Sequence, residues 1–138
     1  MNRRQFLRSA VGGGIALLAG CSSSQQRTDA TVFLANLSES QQEVVVRIFD
    51  ANDSKVWEQQ AELPAAPPNE APSVNTVNAL QSVEIDSKFR IEVDVESIEK
   101  TATRYITIDC KDSEFVRIRI MKRYEGGKPV VDFREPSC

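Results

Sequence analysis

The chain has 138 residues, 41% of them apolar, enough for one packed core and too few for two ordinary domains. Of its 17 basic residues three (Arg3, Arg4, Arg8) lie in the first twenty positions, where there is no acid, leaving 14 against 20 acidic residues in the remainder. That surface disfavours nucleic acid, whose binding rests on phosphate neutralisation, and the absence of histidine excludes Ser-His-Asp and Cys-His nucleophiles, histidine-ligated zinc and blue copper.

Residues 1 to 21 combine a basic head with a weakly apolar stretch from Ala10 to Ala19. About ten apolar residues cannot cross a hydrocarbon core that needs about twenty, so the segment is a signal and not a stable span. The run Asn2-Arg3-Arg4-Gln5-Phe6-Leu7-Arg8 resembles the twin-arginine (Tat) export signal, with Arg3, Arg4, Phe6 and Leu7 matching its pattern. Leu18-Ala19-Gly20-Cys21 resembles a lipobox, which implies cleavage before Cys21 and lipidation of its thiol. A chain of this type resides on the extracytoplasmic face of the cell membrane, held by the lipid on Cys21, after folding in the cytoplasm. Residues 22 to 30, Ser-Ser-Ser-Gln-Gln-Arg-Thr-Asp-Ala, are polar and aperiodic, the composition of a flexible tether. The domain is then expected over residues 31 to 138.

From Thr31 onward, β-branched runs of period two recur between turn residues. Expected strands are Thr31 to Leu37, Glu43 to Asp50, Lys55 to Leu63, Ser73 to Leu80, Lys88 to Val95, Thr101 to Ile108, Glu114 to Met121 and Pro129 to Phe133. The pattern predicts an all-β, antiparallel β-sandwich, immunoglobulin-like in strand count, with about seven to eight strands. Glu43 to Asp50 is apolar on both faces and is expected at a sheet centre. Trp57 shares a face with Gln59, Ala61 and Leu63 and is expected to anchor the core. The whole chain resembles small β-sandwich lipoproteins of halophilic archaea, a resemblance that implies no activity.

Several groups could carry chemistry. Cys110 and Cys138 form an even pair in a chain bound for an oxidising exterior, and a structural disulfide between them is expected, since a redox site would favour the absent C-x-x-C spacing. Glu92, Asp94 and Glu96 form an acidic row, and Arg117, Arg119 and Arg123 a basic one. Such rows bind calcium or anionic headgroups, or, more commonly, pair across strands as solvated faces. Residues 111 to 138 carry a basic excess, so that end would meet lipid phosphates if it faced the membrane. Four prolines between Pro64 and Pro72 exclude helix and favour an extended crossover or a docking segment. Asn36-Leu37-Ser38 and Asn52-Asp53-Ser54 fit the glycosylation sequon.

The expected function is a membrane-anchored, non-catalytic binding or structural module, with no cofactor, no metal and no nucleic-acid partner. The alternative is an accessory subunit of an envelope transport or secretion complex. A carboxylate-only hydrolase would need two acids brought together, and no spacing in the sequence does so.

Overall fold

The computed structural model describes residues 26–111, 113–122 and 127–137, with backbone alone at 113 and 135–137. Eight strands follow one another: β1 (Arg27–Asn36), β2 (Gln42–Phe49), β3 (Lys55–Leu63), β4 (Val74–Glu84), β5 (Lys88–Val95), β6 (Ala102–Thr107), β7 (Ser113–Met121) and β8 (Val130–Ser137). They form two four-stranded sheets, ordered β4-β1-β7-β8 and β3-β2-β5-β6, and no helix occurs among the described residues. The result is a β-sandwich.

The sequence alternation explains why each strand sits where it does. In β5, Phe89, Ile91, Val93 and Val95 turn inward and are buried, while Lys88, Arg90, Glu92 and Asp94 turn outward. In β2, Val44, Val46 and Ile48 face the core directly opposite Val95, Val93 and Ile91. The other sheet answers with Val32 and Leu34 of β1 beside Val116 and Ile118 of β7. These rows of β-branched and aliphatic side chains make one continuous core to which both sheets contribute. Full burial of each Val, Ile or Leu stabilises the fold by about 1.5–3 kcal/mol. Trp57 packs half-buried against that core from the edge strand β3.

Short turns join the hairpins, and longer segments carry the chain between sheets. The β2–β3 turn is held by Asp50, whose Oδ1 accepts from the backbone N–H of Asn52 (2.9 Å) and Ser54 (3.0 Å), with Asp53 at φ 64°. Asp tolerates that left-handed conformation better than most residues. The proline segment after β3 crosses from one sheet to the other, as its composition requires, because it offers few N–H donors for a ladder.

Two expectations are corrected. The tether assigned to residues 22–30 is too long: β1 begins at Arg27, with Thr28 and Ala30 buried, because its polar side chains alternate with inward ones. The sheets are also not purely antiparallel, since β1 runs parallel to β7. Their connection passes through both sheets, so no hairpin constrains their direction.

Replacing Ile91, fully buried between β2 and β6, with alanine is expected to lower stability in urea by about 2–5 kcal/mol. Tyr105→Ala, on a side chain 74% exposed, is expected to change it by less than about 0.5 kcal/mol. Equal losses in the two variants would contradict this assignment of the core.

Candidate functional site

The two outer faces of the sandwich differ in how their charges are matched. On the face of β3-β2-β5-β6, Arg47 lies between Glu58 (3.3 Å) and Asp94, and Arg90 contacts Asp53 and Glu92 (3.2 Å) while lying over the Phe49 ring at 4.4 Å. The hydrogen bond from Thr101, then that from Arg47, holds the Asp94 carboxyl below its ordinary range against the opposing effect of burial. At the rim, the hydrogen bond with Glu96 raises Glu43. Asp94 of the expected acidic row is therefore the partner of Arg47 on the neighbouring strand β2, and Glu92 of Arg90 on its own strand, which is the solvated-face reading. A hollow of about 570 Å³ at one end, lined by Asp50, Asp53, Arg90 and Tyr105, is walled by this same matched set.

The face of β4-β1-β7-β8 is matched less completely. β1 presents Phe33 and Ala35 outward, with Leu37 just beyond its end, beside Arg117 and Arg119 of β7, and Val74 and Thr76 of β4. Together with Pro72 these line a largely apolar groove of about 470 Å³. Phe33 meets Phe115 with ring centroids 5.4 Å apart, and the Arg117 guanidinium stands 6.0 Å from the Phe33 centroid. Asp132 is the register partner of Arg119 and accepts from its Nε at 3.0 Å; the same carboxylate lies 3.9 Å from Arg134. Arg117 has Arg134 as its register partner and forms no ion pair among the described residues.

Polar groups close the two ends of the core. At one end Asn36, 1% exposed, donates from Nδ2 to the carbonyls of Ser40 (2.8 Å), Leu63 (3.2 Å) and Pro64 (3.0 Å), and its Oδ1 accepts from Ser38. Gln42 extends this network to Ser38 and Ser97. Of the two sequon asparagines, Asn36 has its amide sealed among carbonyls in the folded chain, whereas Asn52 stands exposed in the β2–β3 turn.

At the other end Glu114, 0% exposed, accepts through Oε2 from the backbone N–H of Asp109 (2.8 Å) and Cys110 (3.4 Å). Among the described residues its Oε1 has no hydrogen-bond partner, and neither does the buried Oγ1 of Thr28. Burial pushes the Glu114 carboxyl up and Asp109 adds repulsion, while the two N–H donors act in the opposite direction. Asp109, Cys110 and Glu114 place potential metal-ligand atoms within 4.8 Å of one another. One oxygen of Glu114 is engaged by the backbone donors of Asp109 and Cys110, so the carboxylate caps the turn before β7.

Of the sites expected from sequence, Arg117 and Arg119 lie side by side on one outer face, and Glu92 and Asp94 on the other. Cys110 is buried at the Glu114 end. Arg3, Arg4, Phe6, Leu7, Cys21, Arg123 and Cys138 lie outside the described residues. Sequence reading missed Phe33, although its parity opposite Val32 and Leu34 carries the signal, and it missed the burial of Glu114. No known family model matches the chain, and no curated protein matches it.

Glu114 gives a pH-dependent expectation. A carboxyl raised on folding contributes stability below its unfolded value, about 4.3 for glutamate, and that contribution fades as pH rises through the folded value. Relative to Glu114→Gln, the protein is therefore expected to lose stability as pH climbs from 4 to 8 in a series of urea titrations. Parallel pH profiles for the two proteins would refute a raised Glu114.

Proposed function

We propose that the chain is an exported lipoprotein, directed by the Tat-like Arg3-Arg4 signal, lipidated at Cys21 and held on the extracytoplasmic face of the cell membrane. Its sandwich acts there as a non-catalytic binding or structural module. The observation that supports this reading best is positional: β1 begins at Arg27, six residues after the lipobox cysteine, so signal, anchor and fold follow one another with only a short polar link. Six residues span at most about 21 Å, which keeps the domain against the bilayer.

The non-catalytic reading is supported by the absence of histidine and by the arginine partners of Glu92 and Asp94, which leave those acids poorly placed for acid–base work. A disulfide between Cys110 and Cys138 is supported by the register of β8. Ser137, the residue before Cys138, is the partner of Phe115, and the adjacent Glu114 already holds the backbone of Cys110. Closing that loop would stabilise the domain by about 3 kcal/mol.

A role as accessory subunit of an envelope complex is the second reading. It is favoured by the position of Pro72, which ends the proline crossover on the wall of the apolar groove. There a pre-extended segment could join a partner at low entropic cost.

Intact-mass analysis of the membrane fraction, before and after reduction, tests the main reading. The expected species starts at a lipid-modified Cys21 and gains the two thiol hydrogens on reduction. A soluble chain lacking lipid would sink the anchor, and an unchanged mass on reduction would sink the bridge. The two results are independent.

A further inference from the structure

We propose that the outer face of β4-β1-β7-β8 is the surface this domain lays on a membrane containing anionic phospholipid, with headgroup phosphates taken between Arg117 and Arg134. The inference deepens the anchoring proposed above and rests on that reading for its setting, though not for its test.

The first ground is an unresolved repulsion. Arg117 and Arg134 are direct cross-strand partners, an arrangement that costs free energy when like charges stand opposite each other. Among the described residues Asp132 is the acid paired to this group, and Arg119 already holds it with Nε at 3.0 Å, leaving 3.9 Å to Arg134 and no ion pair for Arg117. An anion seated between the two guanidiniums would relieve the repulsion with charge-assisted hydrogen bonds.

The second ground is the apolar groove beside these cations. Val74 is 53% exposed and Val130 37%, and Phe33, Leu37 and Pro72 continue the apolar surface. A free phosphate would use the arginines and leave this groove in water. A lipid surface uses both, because the groove meets the acyl boundary while the guanidiniums remain at phosphate level. The opposite face is unsuited to that contact, since Glu58, Glu92 and Asp94 would confront the phosphates.

Chain connectivity agrees with this orientation. β1 is an inner strand of the same sheet and lies six residues from Cys21, so an anchored chain can rest on this face without stretching its link. A single weak face of this kind gains effect from the anchor, which converts docking into an intramolecular event.

The test uses the mature-length chain with Cys21→Ser, which keeps every core residue from Ala30 to Ile120 and carries no lipid. Co-sedimentation is measured with vesicles of phosphatidylcholine alone and of phosphatidylcholine with phosphatidylglycerol. Binding is expected only to the anionic vesicles and should weaken as salt rises. Arg117→Gln and Arg134→Gln should each lower the partition coefficient about fivefold, corresponding to about 1 kcal/mol per charge. Neither should lower the unfolding midpoint in urea, because each removes a repulsion. Glu92→Gln on the opposite face should leave partitioning unchanged.

Absence of binding to anionic vesicles, equal binding to neutral ones, or equal binding by the arginine variants would overturn the proposal. So would a concentration-dependent dimer that Arg117→Gln dissociates, which would assign the face to a second copy of the chain. Because this chain lacks the lipid, failure here leaves a lipidated Cys21 standing. Conversely, a native chain without lipid leaves the vesicle result standing.

Discussion

Everything in this fold depends on the mutual burial of two apolar strand faces. β2 and β5 present Val44, Val46, Ile48, Ile91, Val93 and Val95 from one sheet, and β1 and β7 present Val32, Leu34, Val116 and Ile118 from the other. Neither sheet could remain in water with such a face uncovered, so their burial against each other fixes the register of all four inner strands. A slip by one residue would exchange Val93 for Asp94 and Ile91 for Glu92 in the core. The four edge strands then take the positions that the hairpins and crossovers allow.

The ends of that core are closed by different means. Asn36 satisfies three carbonyls from two crossing segments, so its buried amide sits within a nearly complete hydrogen-bond set. Glu114 is held by two donors through one oxygen and leaves the other unpartnered, with Thr28 Oγ1 also unsatisfied. The first arrangement stabilises the crossing of β1, β3 and the proline segment. The second concentrates unpaired polarity at the end where Cys110 lies, and this end is where acidity and any covalent bridge would have their largest effect on stability.

The outer faces express a further contrast that the core leaves free to vary. Arg47 sits between carboxylates on both neighbouring strands, and Arg90 between Asp53 of the β2–β3 turn and Glu92 of its own strand, so each arginine on the face of β2 and β5 is matched by acids. On β7 and β8 the arginines outnumber the acid they share, and an apolar groove adjoins them. Surface pairs of this sort contribute little to stability, commonly below about 1 kcal/mol. Their arrangement therefore bears more on what the domain meets than on how it folds.

The strand pattern was legible because alternation of Val, Ile and Phe with charged residues leaves few other ways to hide the apolar set. Lys55 to Leu63 and Lys88 to Val95 were bounded correctly, and the turn at Asp50 to Ser54 followed from residues that favour left-handed conformations. The start of β1 was not legible, because Arg27 and Asp29 look like tether until the alternate burial of Thr28 and Ala30 is known. Sequence by itself determined the all-β class and the inward residues of β5, since both rest on local composition or period. Only the tertiary structure decided the parallel pairing of β1 with β7, the burial of Asn36 and Glu114, and the opposition of Arg117 to Arg134. These depend on which strands become neighbours, a choice made by packing between segments up to 84 residues apart, to which local periodicity carries no reference.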